Sequence, residues 1–227
     1  MTARPLAVFD LDGTLIDTAP DLADSCDHVL RSNGLPGIDI ETLKPAIGFG
    51  ARRMLVGAME ANGVRVDDAQ LDAMFDEYLI HYASRISKLS EPFPEMLACL
   101  DRLDASDVAV AVCTNKREDL ARKLLDELSL TPRLAAIVGG DTFGVAKPDP
   151  LPLLKTIELA GSSRDRTVFV GDSRVDRETA KRAQLPFVGV TYGYSDTPME
   201  ALEPDRLCRP GDDVAAAILD IMPVAAA

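Results

Sequence analysis

The pattern of hydrophobic and polar residues divides this chain into two parts. The first part predicts one strand followed by helices, and the second predicts strands that alternate with helices. A short apolar run, Leu6–Phe9, predicts a buried strand at the start. Apolar residues then recur at helical spacing, which predicts helices over residues 20–33, 51–62 and 68–85. No convincing strand interrupts this stretch, so we expect a small helical bundle inserted directly after the first strand.

From about residue 92 onward, apolar strands alternate with helices. Such alternation is typical of a parallel sheet covered by helices on both faces. We therefore predict an α/β fold, a doubly wound parallel sheet with inserted helices. The predicted strands cover residues 108–114, 136–140, 167–171 and 187–191, and the predicted helices cover residues 95–103, 117–128, 151–160, 175–183 and 213–221.

Charge and composition narrow the range of partners. The 24 basic against 37 acidic residues give a net charge of −13, which argues against nucleic acid and against an anionic membrane surface. The four cysteines are widely spaced, so we expect reduced, buried thiols. We expect no signal peptide, and no run of about 18 apolar residues appears in the sequence. We expect a cytoplasmic protein, monomeric or homodimeric.

Carboxylate, hydroxyl, amide and lysine side chains lie at or between the carboxyl ends of the predicted strands. Asp10 and Asp12 end the first strand two residues apart, so both carboxylates face the same side of an extended chain. Two like charges this close favour a bound cation or a shared proton, and carboxylates suit Mg²⁺. The other candidates at or between strand ends are Thr114, Asn115, Lys116, Lys147, Asp172 and Asp176.

The carboxyl ends of parallel strands meet at one rim of a doubly wound sheet, where ligands bind. The candidate residues would then supply a nucleophile, ligands for a cation and donors for phosphoryl oxygens. This inventory matches phosphoryl transfer to or from a small anionic substrate. Asn115 and Lys116 are equally compatible with a plain helix entry.

The same residues resemble the four motifs of the haloacid dehalogenase superfamily, which stand here in order. The inserted helices resemble the cap of the subfamily that includes phosphoglycolate phosphatase and β-phosphoglucomutase. This resemblance implies a Rossmann-like core of residues 1–16 and 88–227 and a helical cap of residues 17–87. The motifs are Asp10-x-Asp12-Gly13-Thr14, Thr114 after an apolar strand, Lys147-Pro148, and Gly171-Asp172-x-x-x-Asp176.

The resemblance also implies a role for each core residue. Asp10 would be the nucleophile that forms an aspartyl-phosphate, and Asp12 the general acid for the leaving alcohol and then the base for water. Thr114 and Lys147 would hold the transferring phosphoryl group. Asp172 would bind Mg²⁺ together with Asp10 and the backbone carbonyl of Asp12. Asp176 would support the metal shell or Lys147.

Segments around residues 9–23, 47–55, 112–116 and 139–141 resemble the phosphoglycolate phosphatase group more narrowly. The Gly48-Phe49-Gly50 loop opens a helix that carries Arg52 and Arg53. Free amides and a guanidinium at a helix start suit a small carboxylate, although a tight turn with two solvated arginines is the alternative. The predicted substrate-binding residues are Phe49, Arg52, Thr114, Asn115 and Lys147.

Together these observations predict a Mg²⁺-dependent phosphatase that acts on a small phosphorylated metabolite. The resemblance favours 2-phosphoglycolate as the substrate. The alternatives are a β-phosphoglucomutase-like sugar-phosphate mutase or a phosphatase of other sugar phosphates. From another class, a non-catalytic binding protein of the same fold is a further alternative. Val175, where relatives often have asparagine, weakens the substrate assignment more than the chemistry.

Overall fold

The computed structural model describes residues 3–223. Its strands are β1 (Leu6–Phe9), β4 (Ala109–Cys113), β5 (Ala136–Val138), β6 (Thr167–Gly171), β7 (Phe187–Val190) and β8 (Arg206–Cys208), with a separate pair of β2 (Ile16–Asp17) and β3 (Glu91–Pro92). The first six form a central sheet in the order β5-β4-β1-β6-β7-β8, in which every neighbouring pair is parallel. The predicted α/β fold class is therefore confirmed.

Strand β1 is fully buried because it lies between β4 and β6 and has helices on both faces. Its residues alternate between two cores: Ala7 and Phe9 pack on one face, and Leu6 and Val8 on the other. This explains the unbroken apolar run in the sequence.

The α-helices are α1 (Ala19–Ser32), α2 (Ile40–Ile47), α3 (Ala51–Ala61), α4 (Asp68–Ser84), α5 (Pro94–Ala105), α6 (Glu118–Glu127), α7 (Leu151–Leu159), α8 (Arg174–Ala183) and α9 (Val214–Ile221).

The inserted helices, α1 to α4, lie between β2 and β3. These two short strands pair antiparallel, Ile16 with Pro92 and Asp17 with Glu91, and so join the two chain segments that enter and leave the insertion. Asp21 strengthens the joint, because one of its carboxylate oxygens accepts hydrogen bonds from the backbone of residues 89 and 90. The division into core and cap at these segments remains our proposal.

Four short elements escaped the sequence analysis. Helix α2 has only eight residues and contains Pro45, which removes a backbone donor and weakens the helical pattern. Strands β2 and β3 have two residues each, and the edge strand β8 has three, too short for a periodic signal. Within residues 3–223, none of the helices combines the length and apolar character needed to cross a bilayer.

Candidate active site

Three neighbouring strands bring the predicted residues to one edge of the sheet. Asp10 directly follows β1, Thr114 follows β4 and Asp172 follows β6. Because β1 lies between β4 and β6, these three residues become neighbours at the carboxyl ends of the strands. All three are at least nine-tenths buried.

Lys147 reaches this edge from the segment between β5 and α7. Its Nζ lies 2.8 Å from Asp10 Oδ1 and 2.6 Å from Asp176 Oδ1, and its side chain is only 1% exposed. Burial alone would lower the lysine pKa, but the charges of Asp10 and Asp176 outweigh burial and raise it. The ammonium is therefore held charged beside the Asp10 carboxylate.

Within residues 3–223, each oxygen of the Asp172 carboxylate accepts a hydrogen bond from one donor. Thr14 Oγ1 donates to Asp172 Oδ1 at 2.8 Å, and the Tyr194 amide donates to Oδ2 at 2.6 Å. Glycines allow the chain to pass this close: a Cβ on Gly13 would lie 2.6 Å from Asp172 Oδ2, and one on Gly193 would lie 2.2 Å from it. Gly13 also has a φ of +83°, which favours glycine.

The buried carboxylates favour a bound cation. Oxygens of Asp10, Asp172 and Asp176 lie within 4.8 Å of one another. Burial, with repulsion from Asp176 next, raises the pKa of Asp10 to about 7 and the pKa of Asp172 to about 8. A hard divalent cation would relieve this repulsion, so the donor set fits Mg²⁺.

Asp176 is engaged in a different way from Asp10 and Asp172. Its Oδ1 accepts from Lys147, and its Oδ2 accepts from the amide and hydroxyl of Ser173 at 3.1 and 2.5 Å. The Ser173 hydroxyl in turn accepts from the Asp176 amide, which forms a capping box at the start of α8. Its contacts with Lys147 and Ser173 place Asp176 to hold that lysine and the start of α8, in line with a supporting role.

The Asp12 carboxylate is held by groups outside this carboxylate cluster. Its Oδ1 accepts from Thr18 Oγ1 at 2.7 Å and from Lys116 Nζ at 2.8 Å. The Lys116 side chain is 5% exposed, and its Nζ lies 4.7 Å from the centroid of the Tyr82 ring. Lys116, for which the sequence left a plain helix entry equally open, is therefore a buried cation directly beside Asp12.

Asn115 makes contacts that differ from those of a substrate ligand. Its Oδ1 accepts from the Lys147 amide at 2.8 Å, and its Nδ2 donates to the carbonyls of Lys147 and Gly48 at 3.1 and 3.3 Å. The amide is thus occupied by backbone groups. These contacts favour positioning of the Lys147 segment against the inserted helices over the predicted substrate contact.

A cavity of about 200 Å³ lies between this edge of the sheet and the inserted helices. Asp10, Asp12, Thr114 and Lys116 form a polar part of its lining, and apolar side chains of the inserted helices form most of the rest. The lining from those helices and their loop comprises Leu22, Ile47, Gly48, Phe49, Gly50, Ala51, Arg52, Met54, Phe75, Tyr78, Leu79 and Tyr82.

The predicted cap residues line this cavity but are turned partly to solvent. Phe49 is 40% exposed. Arg52 pairs with Asp72 at 2.6 Å, and both side chains are about half exposed or more. Arg53 pairs with Glu60 at 3.3 Å and does not line the cavity. The guanidinium of Arg52 therefore already has a counter-charge.

Residues that the sequence analysis did not assign to the site include Tyr78, Tyr82 and Tyr194. The signal for the tyrosines was present, because Tyr78 and Tyr82 recur at helical spacing on the apolar face of α4. A tyrosine on such a face must bury a hydroxyl, which calls for a partner. Tyr194, by contrast, lies in a loop after β7 that carries no pattern.

Comparison with known sequences identifies one family and one group of relatives. A family described as haloacid dehalogenase-like hydrolase matches residues 7–190. The chain is 43% identical over 219 residues to a phosphoglycolate phosphatase of Agrobacterium fabrum, covering 95% of this chain and 93% of the relative. It is 42% identical over 205 residues to a phosphoglycolate phosphatase of Mesorhizobium japonicum, covering 90% of each.

Comparison with solved structures leads to the same group. A crystal structure from Haemophilus somnus, described as a predicted phosphoglycolate phosphatase, aligns with a TM-score of 0.86 and 28% sequence identity. The alignment covers 97% of this chain and 99% of that one. The similarity therefore includes the inserted helices as well as the sheet.

Proposed function

This chain belongs to the haloacid dehalogenase-like hydrolase family, and from that premise we propose that it hydrolyses 2-phosphoglycolate to glycolate and inorganic phosphate. The chain is a phosphatase, a phosphoric monoester hydrolase. The substrate, the use of Mg²⁺ and the aspartyl-phosphate step are our proposal. The relatives named phosphoglycolate phosphatase, each covered over most of its length, support the choice of substrate.

The contacts of Asp10 carry the proposed chemistry. Its Oδ1 is held by the Leu11 amide at 2.7 Å and by Lys147, whereas Oδ2 accepts no hydrogen bond from residues 3–223. Oδ2 is therefore the oxygen that attacks phosphorus. Lys147 reduces the repulsion between this carboxylate and the anionic phosphoryl group, and Thr114 lines the cavity where the phosphoryl oxygens would lie.

Asp12 serves as acid and then as base in this scheme. As Asp10 Oδ2 bonds to phosphorus, the bond from phosphorus to the glycolate oxygen breaks and that oxygen takes a proton from Asp12. Water then attacks the aspartyl-phosphate and gives a proton to Asp12. Phosphate leaves, and the Asp10 carboxylate is restored. Thr18 and Lys116 hold Asp12 on the cavity side, where the leaving group would lie.

The donor set described above fits Mg²⁺, which Asp10, Asp172 and the backbone carbonyl of Asp12 would hold. When bound, the ion would supply positive charge beside the phosphoryl group and offset the repulsion among the carboxylates. The hydrogen bonds of Thr14 and Tyr194 hold Asp172 for this purpose. Asp176 would fix Lys147 without binding the ion.

The test is phosphate release from a panel of phosphomonoesters, measured with Mg²⁺ and with EDTA. We expect 2-phosphoglycolate to be hydrolysed with the highest kcat/KM and EDTA to abolish the activity. Preference for a hexose phosphate, with exchange between its positions in the presence of a bisphosphate, would replace the proposal by a mutase. Full activity in EDTA would overturn the metal assignment.

A further inference from the structure

We propose that Lys116 of the core and Tyr78 and Tyr82 of helix α4 form a subsite for a carboxylate on the leaving group. The inference rests on the proposed phosphatase function and deepens it. It names the substrate class as phosphomonoesters whose alcohol carries a carboxylate close to the ester oxygen. Sugar phosphates, whose leaving groups are uncharged, lie outside this class.

Lys116 is the first observation that carries the proposal. It is a buried cation that lines the cavity from the core side. Its Nζ lies 2.8 Å from the Asp12 oxygen to which Thr18 also donates. In the proposed mechanism Asp12 gives its proton to the leaving oxygen, so a group beside Asp12 also lies close to that oxygen. In 2-phosphoglycolate a single methylene separates that oxygen from the carboxylate, so the negative charge must lie within a few ångströms of Asp12. Lys116 is the cation placed there.

The tyrosines are a second, independent observation. Both side chains line the cavity and are at least 99% buried, and neither hydroxyl has a hydrogen-bond partner within residues 3–223. A buried hydroxyl without a hydrogen-bond partner is destabilising, so two in one cavity need an explanation. A carboxylate accepts hydrogen bonds at both oxygens and would satisfy two such donors.

The arrangement of the three groups is consistent with a single anion. Tyr78 and Tyr82 lie four residues apart on one face of α4, with ring centroids 5.9 Å apart and planes within 12° of parallel. The Tyr82 ring also covers the Lys116 ammonium, which keeps that cation out of water. The subsite thus takes one residue from the core and two from the inserted helices.

The groups proposed for this role are distinct from Arg52, the cation expected from the sequence. Arg52 is paired with Asp72 and about half exposed, so a carboxylate bound to it would compete with both Asp72 and water. Lys116, although paired with Asp12, is 5% exposed, and an anion bound there would interact in a less polar surrounding.

The test compares two esters of similar size, 2-phosphoglycolate and 2-hydroxyethyl phosphate, which lacks the carboxylate. For each enzyme we take the ratio of kcat/KM for the first to kcat/KM for the second. Lys116→Met keeps most of the length of the side chain and removes its charge. We expect the ratio to fall roughly 10- to 100-fold, as for loss of a charged hydrogen bond, with Lys116→Arg restoring part of it.

Tyr78→Phe and Tyr82→Phe remove only the hydroxyls. We expect each to lower the ratio up to roughly 10-fold through KM, without lowering the melting temperature, because an unpaired hydroxyl is removed. Tyr192→Phe is the matched control. Its hydroxyl is also buried without a partner within residues 3–223, but Tyr192 does not line the cavity. Its ratio should equal that of the wild-type enzyme.

The outcomes separate the subsite from the proposed function. If Lys116→Met lowers kcat/KM equally for both esters, Lys116 acts only through Asp12 and the subsite is refuted. It is also refuted if both tyrosine variants keep the wild-type ratio, or if the wild-type enzyme hydrolyses the two esters equally well. If the wild-type enzyme releases phosphate from no ester in the panel, the proposed function itself fails.

Discussion

The rim of the sheet, where the strands end at their carboxyl ends, and the wall formed by the inserted helices enclose one cavity. They differ in how their buried polar groups are paired. At the rim, the buried charges of Asp10, Lys147 and Asp176 are paired with one another. On the wall, the side chains are mostly apolar, and the tyrosine hydroxyls of α4 have no hydrogen-bond partner among residues 3–223. From this difference we infer that the rim carries out chemistry common to many phosphomonoesters. The tyrosine hydroxyls of the wall would find hydrogen-bond acceptors only in a substrate that carries a carboxylate.

This division predicts the largest effect for Asp10→Asn at the rim. The amide is a poor nucleophile, so we expect phosphate release to fall by at least about 10³-fold while the fold is kept. Steady-state kinetics and circular dichroism measure the two properties. Asp101→Asn, which alters an exposed pair with Arg133, is a control that should change neither. Activity within tenfold of wild type would remove Asp10 from the mechanism.

A second rim variant, Lys147→Met, tests whether the paired charges also hold the protein together. The change leaves the carboxylates of Asp10 and Asp176 buried without their cation, so we expect a loss of about 3–5 kcal/mol in the free energy of unfolding. Lys44→Met breaks an exposed pair with Glu41 and should cost less than about 1 kcal/mol. Urea denaturation in EDTA measures both, and equal losses would contradict the contrast between buried and exposed pairs.

The rim should also respond to pH in a defined direction. Asp10 and Asp172 have pKa values raised to about 7 and about 8, so the folded protein holds protons that the unfolded chain releases near pH 4. Without metal, these two groups therefore make the free energy of unfolding fall as pH rises from about 4 to about 8. The ionised carboxylates are also the form that binds a cation.

The increase in melting temperature produced by Mg²⁺ over EDTA should therefore grow between pH 5 and pH 8. Differential scanning fluorimetry at several pH values measures this increase, and Asp172→Asn should reduce it. An increase of the same size at both pH values would show that protons and metal do not compete for these carboxylates.

Parts of the site and of the fold differ in how far the sequence predicted them. Asp10, Thr114 and Asp172 could be predicted to meet because each follows a buried strand, and parallel strands end at one edge. The pairing of Lys116 with Asp12 could not, because it depends on where a long side chain points within the loop that follows β4. Helix α2 and strands β2 and β3, which shape and join the inserted helices, are too short for a periodic signal.

The smallest expected effect concerns Arg52 of the inserted helices, which we compare with Lys116 of the core. The sequence favoured Arg52 as a substrate ligand because it follows a glycine-rich helix start. In the structure its guanidinium pairs with Asp72, lies 5.6 Å from the Phe75 ring centroid and is 46% exposed. We therefore expect Arg52→Gln to lower kcat/KM for 2-phosphoglycolate less than about tenfold, and less than Lys116→Met does.

Arg53→Gln is the matched control for that variant, since Arg53 pairs with Glu60 on the same helix and does not line the cavity. Measuring kcat/KM for both esters shows whether any loss depends on the carboxylate. If Arg52→Gln reduced the preference for 2-phosphoglycolate more than Lys116→Met did, the carboxylate would lie at the exposed end of the cavity. Selection of the substrate would then take place beside solvent, away from Asp12, and the buried tyrosine hydroxyls would need another explanation.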